Sequence, residues 1–276
     1  MKILKFTLGR KIDINYPTNR LMLGISLFSA FAIYVLTKDI VQGLFCAAGF
    51  FFAWGIAREI DPEKEYSAFL SAFIAIGLIF FYFYDGINLG PLFFILLALR
   101  FISGICGYEP TLIDILSLVL LGGYLSFSRE NGVYFTILAL MFFISWFRYD
   151  KGNVFLLLTA GAFALTILLF IIYPEVEFFQ TFSSLSSVVI YGIRTLLIVL
   201  TIFQYYFLGK DQKIFDDLGK ALGNQNIQKG LIFFSLSVML LVTLENLTQS
   251  TIIIMLSTLA GAALWRLTRP TGDASI

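Results

Sequence analysis

The stretch VYFTILALMFFISWFRYDKGNVFLLLTAGAFALTILLFIIY, Val133 to Tyr173, decides the fold class. Two apolar runs, 133–147 and 154–173, flank a short turn containing Arg148, Asp150 and Lys151. Crossing about 30 Å of hydrocarbon takes roughly 20 apolar residues as a helix, with a range of about 17–25. Backbone groups facing lipid must be paired within their own segment, and apolar strands do not come in these lengths. The stretch therefore reads as a transmembrane helical hairpin with a short first arm.

Outward from this hairpin the same pattern repeats. Further apolar segments lie near 21–37, 40–57, 66–84, 90–108, 111–127, 185–208, 231–247 and 250–267, which makes about ten spans. A re-entrant hairpin in place of the last two is the alternative. Composition agrees: 59% of residues are hydrophobic, 13% are charged, and the mean hydropathy is +0.88. Soluble domains carry roughly 25% charged residues to cover their surface, so this all-α chain is expected to be a polytopic membrane bundle.

Charge sets the orientation. With a cytoplasmic N-terminus, the inner side receives Lys2, Lys5, Arg10, Lys11, Arg20, Arg58, Lys64, Arg148, Lys151, Lys210, Lys213, Lys220, Lys229, Arg266 and Arg269. The outer side receives only Lys38 and Arg129. Basic residues favour the cytoplasmic side and tryptophan favours the interface. Trp54, Trp146 and Trp265 each fall at the inner end of a span and are closely followed by arginine. Both termini are thus expected in the cytoplasm, with a prokaryotic cytoplasmic membrane as the default location.

The expected organisation is a cytoplasmic segment 1–20, spans one to eight over 21–208, a cytoplasmic loop 209–230, spans nine and ten over 231–269, and a tail 270–276. The first segment does not read as a signal peptide, because basic and polar residues interrupt any apolar core. Its alternation over Leu4 to Leu8 and Ile12 to Tyr16 fits a small surface hairpin or a basic tail. In the loop, Phe215, Leu218 and Leu222 share a helical face, which predicts a short interfacial helix.

Several function classes drop out. The net charge of +1 gives no bulk field for nucleic acid. Histidine is absent, which removes His-ligated haem, His-ligated zinc and Ser-His or Cys-His nucleophile pairs. Cys46 and Cys106 sit in apolar runs without metal-ligand spacing and read as small buried hydrophobes.

What remains are charges that cost free energy to keep. Arg100, Arg194 and Asp114 fall inside spans, where a charge costs about 2.5–3.5 kcal/mol at the bilayer centre. Asp114 lies about 5 Å and Arg100 about 12 Å from the turn joining spans four and five, at ~1.5 Å per residue. They are expected to form an ion pair, to bind an anionic group, or to snorkel. Two buried arginines against one carboxylate leave a positive excess, to be met by carbonyls, by Glu177 or Glu245, or by a phosphate or carboxylate ligand. An anion site lined by Arg100 and Arg194, with Asp114 as a charge-coupled partner, is the leading expectation.

At the cytoplasmic rim, Asp61 and Glu65 are four apart and would share a helix face, a spacing suited to one Mg²⁺ with Arg58 toward phosphate. Trp54, Arg58 and Asp61 find an echo in Trp146, Arg148 and Asp150, four spans on, as Arg100 does in Arg194. The turn Ala57-Arg58-Glu59-Ile60-Asp61-Pro62-Glu63-Lys64-Glu65 resembles, at Asp61 and loosely at Glu65, the NDxxDxxxD motif of UbiA-type intramembrane prenyltransferases. That resemblance covers these cytoplasmic turns alone, and Ala57-Arg58 stands where the motif has Asn-Asp. It implies Mg²⁺-dependent chemistry on a lipid-linked phosphate. Ten spans with both ends inside is also similar to the architecture of drug/metabolite-type carriers. Three functions fit these features: a carrier or binding protein for an anionic small molecule or lipid, a membrane enzyme using Mg²⁺, and a noncatalytic subunit of a membrane-protein complex.

Overall fold

The computed structural model describes residues 5–10, 14–62, 64–82, 86–149, 152–173, 187–208, 214–245 and 247–268. Among these, the helices are α1 (Pro17–Thr37), α2 (Ile40–Ile60), α3 (Glu65–Tyr82), α4 (Leu89–Ser103), α5 (Leu112–Ser128), α6 (Val133–Trp146), α7 (Gly152–Ile172), α8 (Ser187–Leu208), α9 (Asn224–Leu244) and α10 (Gln249–Thr268). Each expected apolar segment overlaps one helix among the described residues. Five of them, α1, α2, α7, α9 and α10, are long and apolar enough to cross a membrane, and shorter apolar helices accompany them. In α1 and α7 only 22% of the apolar window is buried, so most of their hydrophobic surface faces outward. Outward apolar surface on this scale fits a hydrocarbon solvent, because soluble monomers seldom expose large contiguous apolar patches.

Two expectations change. The fourth span was expected to run to residue 108, but α4 stops at Ser103, and Gly104 (φ 62°) and Gly107 (φ 76°) take left-handed backbone. At Gly104 a Cβ would collide with the Arg148 guanidinium. Carbonyls freed by this early stop are taken up: Tyr149 Oη donates to Phe101 O (3.1 Å) and Arg148 Nη1 donates to Ile102 O. The interfacial helix expected over Phe215, Leu218 and Leu222 is instead a small antiparallel hairpin, β1 (Ile214–Phe215) and β2 (Ala221–Leu222). Asp216 Oδ1 accepts from Leu218 N (2.9 Å) and Lys220 N (2.8 Å), while Gly219 supplies the positive φ of the turn. Local side-chain capture of backbone N–H groups outcompetes a helix here. Lys5 to Arg10 form no strand, and the remainder of the supposed N-terminal hairpin falls partly outside the described residues.

The chain divides into two compact units. The first holds residues 1–10, 97–198 and 213–246; the second holds 11–96, 199–212 and 247–276. In the first, α6 packs against α5, α7 and α9. In the second, α1 packs on α2, and α10 packs on both α2 and α3. Small residues allow the close α3–α10 approach: Ser67, Ala68, Ser71 and Ala72 on one side, Thr258, Gly261 and Ala262 on the other, all buried. Ser71 Oγ donates to Ser67 O within α3 and lies within reach of Thr258 O (3.2 Å). Such contacts hold helices together where lipid removes any hydrophobic drive for association.

A Cβ on Gly261 would meet the backbone of Ser71, whereas one on Gly77 would meet nothing within 4 Å. Gly261→Val should therefore lower stability by about 1–3 kcal/mol, the usual cost of overpacking, and Gly77→Ala should not. Thermal unfolding of the purified protein in detergent reads both.

Candidate functional site

Asp114 organises the first unit's N-terminal end of α5. It sits one turn into the helix and forms a capping box with Thr111, Oδ2 accepting from Thr111 N (2.7 Å) and Thr111 Oγ1 (2.9 Å). The chain's own N-terminal segment supplies the rest. Thr7 N reaches Oδ1 at 2.7 Å, Thr7 Oγ1 reaches Oδ2 at 2.6 Å, and Leu8 N approaches Oδ1 at 3.4 Å. The carboxylate is fully buried, yet five donors and a helix N-terminus stabilise its charge.

Arg100 is not the partner of Asp114. Its Nη1 donates to Leu8 O at 3.1 Å, so the arginine and the aspartate grip neighbouring atoms of one segment from opposite sides. Because α4 ends at Ser103, Arg100 lies in the last helical turn, where a cation is favoured, and it is half-buried. Thr7 carried no signal in the sequence, since nothing local ties it to a residue 107 positions away. The same end is braced by Arg10 Nη2, 2.5 Å from Asp217 Oδ1, and by Asp217 N donating to Ile105 O.

Arg194, also half-buried, donates from Nη2 to Thr243 Oγ1 at 3.0 Å and lies 5.8 Å from the centre of the Tyr191 ring. Thr243 precedes Leu244, whose carbonyl accepts from Asn131 Nδ2, just beyond the C-terminal end of α5. Arg100 acts at the other end of that helix, which has 17 residues and is about 25 Å long. The two arginines are thus not brought together around one cavity. Glu245 does not take Arg194 as its ion-pair partner; its Oε1 lies 3.7 Å from Arg129 Nε. Glu177 and Asp150 lie outside the described residues.

In the second unit, Asp61 caps the C-terminal end of α2 and is 1% exposed. Arg266 of α10 meets it with two hydrogen bonds, Nη2 to Oδ1 at 2.8 Å and Nε to Oδ2 at 3.3 Å, and Ser67 Oγ adds a longer contact. Burial raises the Asp61 carboxyl above its ordinary range, while Arg266, then Lys64 and Ser67, pull it down. Glu65 opens α3 and accepts from Tyr16 Oη at 2.8 Å, with Arg58 Nη2 3.9 Å away. That hydrogen bond holds the Tyr16 phenol above its usual value. Arg58 lies over the Trp54 ring, 5.0 Å from its centre. Asp61 and Glu65 therefore answer to different cations, and no group of three or more acidic or thiol side chains with metal-binding geometry occurs among the described residues. Arg266, counted in the sequence only as an inner charge, is the residue whose role emerges from the fold.

The first unit also has a cavity of about 360 Å³ between α6, α7 and α9 that opens outward past the exposed side chains of Phe143, Phe163 and Leu236. Its walls are Thr136, Ala139, Leu140, Phe143, Thr159, Phe163, Leu236, Met239 and Leu240. The lining is apolar and includes neither Arg100 nor Arg194. No protein-family model, curated protein or solved structure matches the chain. The fold and these sites define an all-α protein with several helices suited to a membrane.

Breaking a buried ion pair costs about 3–5 kcal/mol, whereas replacing both partners by apolar groups is often neutral. Arg266→Met should lower the detergent unfolding temperature sharply, and adding Asp61→Leu should recover most of the loss. A clamp predicts this pattern with or without Mg²⁺; an Asp61-ligated Mg²⁺ site predicts that the metal stabilises wild type and that the double variant stays impaired.

Proposed function

We propose that the chain is a multi-pass integral membrane protein, crossing the bilayer ten times with both termini in the cytoplasm, that binds an anionic lipid as a carrier or binding protein. The observation that carries the lipid reading is the apolar cavity between α6, α7 and α9. A small hydrophilic anion would find no charged partner among its lining side chains, and the Thr136 and Thr159 hydroxyls are turned onto backbone carbonyls. A hydrocarbon tail, by contrast, is matched to the apolar wall. A volume of about 360 Å³ is within the size range of small-ligand sites. The anionic preference rests on the basic residues at the proposed inner rim, each contributing about 1 kcal/mol toward an anionic lipid surface.

Arg100 and Arg194, which the sequence suggested as anion ligands, have protein partners at separate ends of α5. Their contacts also favour a second role, as clamps that hold segments in place. In a noncatalytic complex subunit that role alone would explain their cost. The Mg²⁺-dependent enzyme gains less support, because Asp61 would have to release Arg266 before serving a metal.

Ala139 is a small side chain on the cavity wall. Enlarging it to leucine should exclude about two methylenes of a bound tail, at about 0.8 kcal/mol each, and weaken binding roughly tenfold. Mass spectrometry of lipids retained through purification, on folded wild type and Ala139→Leu, measures the change. Equal retention of the same lipids by both proteins would contradict a tail in this cavity.

A further inference from the structure

Three buried carboxylates, Asp114, Asp61 and Glu245, are served very differently. Asp114 has five donors, and Asp61 has a two-point arginine. Glu245, immediately after α9, has its side chain 2% exposed and its nearest cation, Arg129 Nε, at 3.7 Å, beyond direct hydrogen-bond length. Its Oε2 is buried and accepts no hydrogen bond among the described residues. The arginine itself is 37% exposed, so its charge is shared with the surroundings. Tyr134 supplies a side-chain hydrogen bond to the carboxyl, but an ionised carboxylate with one buried oxygen unserved is costly at a buried site, and the economical response is to hold a proton.

We propose that Glu245 is a proton-binding site, taking up one proton on its buried carboxyl as its ion pair with Arg129 is discharged, and releasing that proton when the pair re-forms. Only an O–H bond is made or broken. The groups facing it are Arg129 from the turn after α5 and Tyr134 from α6, while Arg194 of α8 is held two residues away, on Thr243. The site lies where Asn131 Nδ2 donates to Leu244 O, so proton occupancy is coupled to the junction between the α5–α6 turn and the end of α9. Burial raises the Glu245 carboxyl from 4.5 to about 7, against the opposing pull of Arg129 and Tyr134. A raised carboxyl favours the folded protein fully below its unfolded value, and the advantage fades as pH rises from about 4.5 to about 7. In the orientation expected from the basic residues, this junction is on the outer side, so the proton sensed is the external one. The inference is independent of what occupies the apolar cavity.

Difference infrared spectroscopy of the purified full-length protein, titrated between about pH 5 and about pH 9, reads the proton directly through the C=O stretch of a neutral carboxyl. Wild type should show such a band with a midpoint near 7, and Glu245→Gln should lack it. Arg129→Gln, which removes the opposing cation, should move the midpoint upward and serves as the second variant if Glu245→Gln does not fold. A titrating band that survives in Glu245→Gln, a midpoint unmoved by Arg129→Gln, or no band in this range in wild type would overturn the proposal.

Discussion

A polar group surrounded by apolar side chains is stabilised by a partner inside the protein, and that constraint shapes the helices and their ends in this molecule. It accounts for the helices, whose backbone groups are paired within each segment. It also accounts for buried hydroxyls that turn back onto their own helix, as Ser145 does to Met141 O and Thr166 to Ala162 O. Where a helix stops, the same constraint recruits side chains. The end of α4 is completed by Arg148 and Tyr149, the start of α5 by Asp114 and Thr111, and the ends of α2 and α10 by Asp61 and Arg266. Charge in this chain is concentrated at helix ends, where orphan carbonyls and N–H groups need it.

That pattern separates three buried carboxylates that composition cannot distinguish. Asp114 is solvated by its own fold, with Thr7 and Leu8 brought back from the start of the chain. Asp61 is balanced by a guanidinium 205 residues away. Glu245 is buried, with a hydrogen bond from Tyr134, one oxygen left unserved and Arg129 slightly too far to hydrogen-bond. The first two hold structure together, and the third is poised to exchange a proton.

Much of the fold was legible in the sequence because apolar run length is a one-dimensional signal. The expected spans and the observed helices agree closely, from Ile40, where span two and α2 both begin, to the run after Val133. The misreadings fell where the deciding interaction is non-local or a turn intervenes. Gly104 and Gly107 end α4 early, and that moved Arg100 from mid-span to a last turn. Asp216 and Gly219 made a hairpin of a segment whose apolar spacing suggested a helix. Candidate site residues were findable as costly charges, but their partners were not. Arg266 with Asp61 and Glu245 with Arg129 are pairings that only the packed helices create.

The most direct test of a ten-span chain with both ends in the cytoplasm is labelling of single cysteines by a membrane-impermeant maleimide on intact cells. The native Cys46 and Cys106 are buried, so they contribute little background. Lys38→Cys and Glu130→Cys, in the turns after α1 and α5, should label from outside. Lys64→Cys and Lys220→Cys should label only after the membrane is permeabilised. Labelling of Lys64→Cys or Lys220→Cys in intact cells, or protection of Glu130→Cys there, would contradict the proposed topology.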